Sequence, residues 1–449
     1  MYFKGQKFLV AGISGSGESS ARFLLARGAA VYLYDDMITP AVRAAMDKLT
    51  AAGAEEVTAS LYQDAVRGCD VLVLSPGIPI DNALPVAFRR MGKLIIGEEE
   101  LAAAYLRATA VAVTGTNGKT TTVSMINNML SDCGKTSVAC GNIGEPTLNL
   151  VEKLSFDDFA VIEISSFQLE TLSNLRPHVA VVTNITEDHL NRHYNMENYV
   201  FLKSKLVRSL RESEYAVLNY DDERVRAFAS VTKARVVYFS AKSKVEGAYV
   251  EGGEVYYMGK KLFACSQMAL AGEHNLYNAL ACAAVAGILG LDEQTVAQSI
   301  CAFRGVKHRI ETVCERGGVT YINDSKGTNV DATLKAVASL ASSAVLLLGG
   351  KDKGYDYAPL FEGLKNSNVV HAVFYGENRY KLLDSALKSG FTAFSLCRKM
   401  EEAVILAHNY AQCGQCVLLS PASSSFDEFK NYEERGDSFA RLVQAFPDD

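Results

Sequence analysis

Residues Val113–Thr122 read VTGTNGKTTT and follow directly on an apolar run. The chain must therefore pass from a buried strand, through a glycine-rich turn, into a helix. Each residue type has a role in such a turn. Gly115 and Gly118 let the backbone fold tightly enough to aim several N–H groups at one phosphate. Lys119 brings a mobile positive charge to the outer phosphates, and the Thr120 hydroxyl can ligate Mg²⁺. The common phosphate loop has a glycine five residues before its Gly-Lys pair; here that position is Val113. This is a shorter loop for a nucleoside triphosphate, and it requires an α/β fold with the turn at the carboxyl end of a strand.

A chain of 449 residues exceeds one ordinary core, so several domains are expected. The net charge of −6 gives no reason to expect nucleic acid as a partner. The ten cysteines are scattered. Cys140, Cys282 and Cys301 sit in apolar segments and read as small core residues of a reducing compartment. Cys413 and Cys416 form one CGQC pair, read as a turn before a strand. The opening MYFKGQKFLVAG lacks a cleavage site and no apolar run is long enough to span a bilayer. The expectation is a cytoplasmic protein with no membrane partner.

Three segments are expected. In residues 1–97, strands at Lys7–Gly12, Ala29–Asp36 and Val71–Pro79 alternate with a helix at Glu18–Arg27, the pattern of a Rossmann-like parallel sheet. Residues 98–303 begin with the helical pattern Gly97–Ala108. They carry the phosphate loop and strands at Phe159–Ile164, Val179–Asn184 and Tyr215–Asn219. Short strands between Val236 and Ser266 with a Gly252-Gly253 turn predict a small extra antiparallel sheet, and His274–Gly290 a closing helix. Residues 304–449 contain strands that each run into a polar loop, a second Rossmann-like pattern. The chemically interesting clusters all lie beyond strand ends, where ligands of open α/β sheets bind.

Near the N-terminus, Gly12–Gly17 reads GISGSG and Asp35 ends the next strand, an arrangement close to a dinucleotide fingerprint. Ser14 replaces the middle glycine, so the signal for NAD is weak; the diphosphate of a nucleotide-linked substrate fits the same loop, as does a tight strand–helix turn with no ligand. Glu163 in VIEISSFQLE leaves the sheet beside the phosphate loop and suits Mg²⁺. TNITEDHLNRH offers Asp188, His189 and His193; FLKSKL carries Lys203 and Lys205 on a helix. The third segment concentrates cations at Arg309, Lys326, Lys351 and Lys353, suited to charge stabilisation in phosphoryl transfer. Its serine-rich loop SPASSSFDEFKNYEERG offers donors for a carboxylate.

In order and spacing, SSFQLE, TEDHLNRH, GEHNLYNAL, HRIE, NDSKGTN and the SPASSSFDEFKNYEERG tail resemble the Mur ligases from Gly12 to Gly436. The resemblance implies three α/β domains with mostly parallel sheets, the central one ATPase-like. It implies an ATP-dependent amide ligase of peptidoglycan precursor synthesis, acting as a monomer, that joins D-glutamate to UDP-N-acetylmuramoyl-L-alanine. Ser14, Gly15, Ser16, Asp35, Ser75, Gly77, Asn142 and Ser165 would then line the UDP-substrate site. Gly115, Thr116, Asn117, Gly118, Lys119, Thr120, Thr121, Asn275, Asn278, Arg309 and Asp324 would bind ATP. Thr328, Lys353, Ser425, Phe426 and Tyr432 would face D-glutamate. Lys119, His189, Lys205, Lys326 and Arg309 would act in catalysis. Two Mg²⁺ sites would draw on Thr120, Glu163, His189 and Lys205, the last as a carbamate formed with CO₂; Lys203 is the alternative lysine. Asp36 and Tyr432 depart from the pattern of some relatives at the uracil and D-glutamate positions.

Two rival readings remain open at this point. A ligase of the folylpolyglutamate synthetase type shares the short phosphate loop but lacks a dedicated UDP-binding domain, which the roughly hundred residues before Thr114 would supply. An NAD-dependent oxidoreductase built on Gly12–Gly17 would leave the second and third segments without a role.

Overall fold

The computed structural model describes residues 3–58, 62–270, 272–352 and 354–448. The chain divides into two units, Met1–Phe303 and Arg304–Asp449. The first unit holds two sheets and the second holds one.

The N-terminal sheet is wholly parallel. Its spatial order is Glu55–Glu56, Ala30–Tyr34, Lys7–Ala11, Val71–Leu74, Leu94–Ile96. Alternation along one strand explains why helices cover both faces. Phe8 and Val10 pack with Leu24 and Leu49 on one side. Leu9 and Ala11 pack with Val66 and Phe88 on the other. Each such fully buried aliphatic or aromatic side chain stabilises the fold by about 1.5–3 kcal/mol. The order reverses at Lys7–Ala11, so the Gly12 turn opens at the crevice of the sheet.

The second sheet has nine strands. Thr109–Thr114 lies between Val179–Val182 and Phe159–Glu163, all parallel, and Ser137–Gly141 forms one edge. Its residues 110 and 112 pack with Ile162, Ala180 and Val182 on one face. Towards the other edge come Tyr215–Asn219 and Arg235–Ser240. The antiparallel strands expected between Val236 and Ser266 are present at Gly247–Glu251, Glu254–Tyr257 and Lys260–Ala264. They continue the same sheet, joined to it through a parallel pairing with Arg235–Ser240. The helix Glu273–Ile288 packs alongside and ends before Gly290, which turns the chain with φ +64°.

Between the two sheets, the helix Glu98–Tyr105 departs from a simple amphipathic reading. Glu98, Glu99 and Glu100 at its first turn are all buried. Glu98 Oε1 accepts from Leu148 N at 2.5 Å. Glu99 Oε1 accepts from Thr147 Oγ1 and Gln168 Nε2, both at 3.1 Å. Glu100 Oε2 accepts from Ser173 N at 2.7 Å and Asn174 N at 3.0 Å. Burial pushes the Glu98 carboxyl up to about 7. It raises Glu99 well above the usual range, helped by the Glu98 charge.

The second unit has six strands in the order Glu311–Arg316, Val319–Asn323, Cys416–Leu419, Ala344–Gly349, Val369–Tyr375, Phe394–Leu396. Only the first pairing is antiparallel. Leu346, Leu348 and Leu418 face one helical layer, while Val345, Leu347 and Val417 face the other. The CGQC segment is a turn leading into Cys416–Leu419, and the cysteines are free. No helix among the described residues is long and apolar enough to cross a membrane.

Candidate active site

The phosphate loop joins the strand Thr109–Thr114 to the helix Lys119–Asp132. Gly115 has φ +149° and Gly118 has φ +81°. A Cβ on Gly115 would stand 1.9 Å from Thr183 Oγ1, and one on Gly118 2.5 Å from Asn278 Oδ1. Both positions therefore need glycine for conformation and for space. Asn117 N donates to Asn184 Oδ1 at 2.9 Å, and Thr183 Oγ1 donates to Asn117 O at 2.7 Å. These bonds hold the loop open over the end of the sheet. Lys119 Nζ folds back onto Gly115 O at 3.0 Å and Thr116 O at 2.9 Å.

Beneath the helix start, Thr120 Oγ1 donates to Glu163 Oε2 at 2.7 Å. Glu163 Oε1 accepts from Asn142 Nδ2, also at 2.7 Å. Asn142, expected near the sugar-linked end of the substrate, thus also holds the carboxylate expected to take Mg²⁺. A buried hydroxyl and a buried carboxylate side by side form a hard oxygen pair that fits Mg²⁺. Thr122 Oγ1 donates to Asn278 Oδ1 at 3.0 Å, and Asn278 Nδ2 to Asn275 Oδ1 at 3.3 Å. Gly115, Thr116, Asn117, Gly118, Lys119, Thr120, Thr121, Glu163, Asn275 and Asn278 are thereby gathered at one strand end.

The two lysines of FLKSKL reach different places, and Lys205, the one expected at the site, does not bond the phosphate loop. Lys205 Nζ donates to Leu169 O and, at 3.4 Å, to Glu170 O, capping the end of the short helix Ser166–Glu170. Lys203 instead reaches the phosphate loop, donating to Gly115 O at 2.7 Å and Thr114 Oγ1 at 3.4 Å. Its side chain is buried, and burial, then the Lys119 charge, holds its pKa well below the usual lysine range. The carboxylates of Glu163 and Asp188 act on it in the opposite direction. On the same helix, Tyr199 hydroxyl meets Thr116 Oγ1 at 3.0 Å. Lys203 was expected only as the alternative to Lys205, and Tyr199 was not foreseen. Their i, i+4 spacing was the available signal.

His189 has φ +53° and its ring lies 4.8 Å from Phe167 and 3.4 Å from Asp188 Oδ2. Ser165 caps the Ser166–Glu170 helix in a reciprocal capping box with Gln168. In the N-terminal sheet, Ser14 stands at the start of the helix Gly15–Leu25, with Ser16 in its first turn. Asp35 Oδ2 accepts from Ile13 N at 2.7 Å and so braces the Gly12 turn. A Cβ on Gly17 would lie 1.9 Å from Gly12 O, the close helix–strand approach that the motif's last glycine permits. Ser75 is buried against Gly12, and Gly77 is exposed in the adjoining loop.

The second unit builds its own cluster. Ile310 N donates to Asp324 Oδ1 at 3.2 Å, and Lys326 N donates to His308 O at 3.0 Å. The HRIE and NDSKGTN loops are thus one body. His308 and Ile310 have φ of +62° and +46°, strain of the kind that clusters at functional sites. Burial raises Asp324 to about 6, opposed by the hydrogen bond from Ser420 Oγ and then by Arg309. Lys326 Nζ lies 5.8 Å above the Tyr432 ring, and Ser325 Oγ donates to Tyr432 O at 2.8 Å. Thr328 is half-buried next to this turn; Ser425 is buried, and Phe426 is exposed. Lys353 lies outside the described residues. Arg435, missed in the sequence, is fully buried and donates to Ser325 Oγ, Ser325 O and Ser423 O at 2.9, 2.8 and 3.1 Å. It ties the NDSKGTN loop to the serine-rich loop.

Three family models match the chain: the Mur ligase MurD-like N-terminal domain at residues 6–97, the Mur ligase middle domain at 113–286, and the Mur ligase glutamate ligase domain at 308–423. A relative from Caldanaerobacter subterraneus subsp. tengcongensis, named UDP-N-acetylmuramoylalanine--D-glutamate ligase, is 39% identical over 99% of both chains. The chain belongs to the Mur ligase family. A second relative of the same name, from Pelotomaculum thermopropionicum, is 40% identical to this Mur ligase over 98% of both chains. Among solved structures, UDP-N-acetylmuramate-alanine ligase from Thermotoga maritima shares the fold with a TM-score of 0.53. It is 21% identical and covers 98% of this chain and 99% of its own.

Proposed function

We propose that this Mur ligase joins D-glutamate to UDP-N-acetylmuramoyl-L-alanine at the cost of ATP, as a cytoplasmic monomer supplying peptidoglycan precursors. The observation that carries the chemistry is the Thr120–Glu163 oxygen pair, 2.7 Å apart, under a loop whose carbonyls accept from Lys119 and, from a neighbouring helix, Lys203. Full-length identity of about 40% to D-glutamate ligases supports the choice of acceptor. These matches extend through the N-terminal domain, which the folylpolyglutamate type lacks, and through both later segments, which an oxidoreductase would leave idle.

A carboxylate is a poor electrophile in water. Transfer of the ATP γ-phosphate to the alanyl carboxylate makes an acyl phosphate, which the amine of D-glutamate then attacks, releasing phosphate. Gly115–Thr121 hold the triphosphate by backbone N–H groups and by Lys119, with Asn275 and Asn278 behind the loop. Thr120 and Glu163 would hold one Mg²⁺. Lys203, in place of Lys205, would as a carbamate hold a second together with His189. Bound there, Mg²⁺ supplies positive charge to the transferring phosphoryl group. A neutral amine is the form that captures CO₂, and burial favours that form at Lys203. Arg309, Asp324 and Lys326 serve ATP and the acyl phosphate. Thr328, Lys353, Ser425, Phe426 and Tyr432 receive D-glutamate. Ser14, Gly15, Ser16, Asp35, Ser75, Gly77, Asn142 and Ser165 seat the nucleotide-sugar acid.

Phosphate release measured with UDP-N-acetylmuramoyl-L-alanine and D-Glu, L-Glu, L-Ala or L-Lys in parallel tests the reading. Turnover with D-Glu alone is expected. Equal turnover with L-Glu or L-Lys, or none with D-Glu, would overturn it.

A further inference from the structure

Arg192 has no role in the chemistry above, yet it makes more polar contacts than an ordinary structural arginine. It sits on the helical turn Leu190–His193, one turn after His189. That turn is bounded by two non-glycine residues in left-handed conformations, His189 at φ +53° and Tyr194 at φ +70°. Such a turn persists only where side chains over-determine it. Arg192 Nε and Nη2 grip both oxygens of Glu170, at 3.0 and 2.6 Å. The same guanidinium reaches three consecutive carbonyls of the N-terminal domain: Pro76 O at 3.1 Å, Gly77 O at 3.4 Å and Ile78 O at 3.0 Å. Its carbon lies 4.6 Å from the Phe167 ring centre, and Phe167 also packs against His189. The Arg192 and Glu170 side chains are 11% and 5% exposed, so solvent screens this bidentate pair little.

The loop so held is the wall of the Gly12 turn. A Cβ on Gly12 would meet Ser75 Cβ at 2.6 Å and Ile78 Cδ1 at 3.2 Å. Moving Ser75–Ile78 by even a fraction of an ångström changes the space beside Gly12–Gly17. A trans peptide sets its N–H opposite its C=O. Turning Pro76 O towards Arg192 therefore turns Gly77 N–H away from it, available to an anion. Three convergent carbonyls without a cation would instead place negative potential beside a diphosphate.

We propose that Arg192, anchored by Glu170, is a positioning residue for the nucleotide-sugar acid: it sets the Pro76–Ile78 loop against the Gly12 turn and ties that loop to the helical turn that carries His189. The proposal rests on the reading that the Gly12 and Ser75–Gly77 loops take the uridine diphosphate end of the substrate. A lysine cannot replace it fully, because one ammonium cannot span a carboxylate and three carbonyls at once.

Calorimetric titration of the full-length protein separates the possibilities. UDP-N-acetylmuramoyl-L-alanine and Mg-ATP are titrated separately into the wild type, Arg192→Ala, Arg192→Lys and Glu170→Gln, with thermal melts of each. Arg192→Ala is expected to weaken the nucleotide-sugar acid at least tenfold and Arg192→Lys and Glu170→Gln about three- to tenfold, while ATP affinity changes less than twofold. In steady state, KM for the nucleotide-sugar acid rises and KM for D-glutamate does not. Should Arg192→Ala fail to fold, the Lys and Gln variants carry the test. Unchanged affinity for the nucleotide-sugar acid, or equal losses for both ligands, overturns the positioning role. A wild type that binds no uridine nucleotide overturns the site reading itself, and the proposal with it.

Discussion

Glu98 lends itself to a quantitative test, because a buried acid leaves a signature in stability against pH. Its folded-state pKa is about 7 against an ordinary value of 4.5, raised by burial. Across that window the unfolded chain binds fewer protons than the folded one. Stability therefore falls as pH rises from about 4.5 to 7 and is flat above. The full effect is roughly 3 kcal/mol, at about 1.4 kcal/mol per pH unit, and about 1 kcal/mol of it is already expressed at pH 5. Glu98→Gln removes this titration and keeps an acceptor for Leu148 N, beside the Glu99 carboxyl with which Glu98 now shares a hydrogen bond. The unit Met1–Phe303 melts with an entropy on the order of 0.6 kcal/mol/K. Glu98→Gln should then raise its Tm by about 5 °C at pH 8 and by about 1–2 °C at pH 5, read by scanning calorimetry. A shift of the same size at both pH values, or a lower Tm at pH 8, would refute the reasoning.

The remaining predictions concern the phosphate loop. Lys203→Ala should abolish phosphate release, with partial rescue by a short carboxylic acid, whereas Lys205→Ala should keep most of its turnover; the reverse order would restore Lys205 to the site. Gly118→Ala forces a side chain at φ +81° within 2.5 Å of Asn278 Oδ1, and should weaken ATP binding tenfold or more in a fluorescent-nucleotide titration. Lys119→Ala should lower kcat more than tenfold, since one good phosphate contact is worth more than about 1.4 kcal/mol in the transition state. Glu163→Gln keeps an acceptor for Asn142 Nδ2 and meets Thr120 only with the hydroxyl as acceptor, and it removes the charge, so the Mg²⁺ concentration for half-maximal activity should rise steeply.

The features most legible in the sequence were those imposed by backbone geometry. The glycines of the Gly12 and Gly115 turns mark places where a Cβ has no room, and continuous apolar runs mark strands buried on both faces. Glu163 was legible because a carboxylate leaving the sheet beside a phosphate loop suits Mg²⁺. What stayed hidden were polar groups whose role is set by distant partners. Glu98–Glu100 look like ordinary acids at a helix start, where the helix dipole favours them. Their burial depends on Thr147, Leu148, Gln168 and Ser173 arriving from elsewhere in the chain. Arg192 and Arg435 look like surface cations, and only the fold shows each reaching carbonyls from other segments.

The choice between Lys203 and Lys205 shows where local physics could have gone further. Both lie on the helix Met196–Arg208. Successive residues turn by about 100°, so side chains two apart diverge by roughly 200° and cannot serve one site. Tyr199 and Lys203, four apart, share a face; so do Phe201 and Lys205. Phe201 is exposed and Tyr199 is buried, with its hydroxyl on Thr116 of the phosphate loop. A tyrosine and a lysine one turn apart, opposite an aromatic and lysine pair, pose two registers. The more amphipathic pair belongs to the buried polar face, because a phenol can satisfy a hydroxyl there and a phenyl ring cannot. Tyr199 and Lys203 are accordingly the pair that meets the phosphate loop, at Thr116 and Gly115.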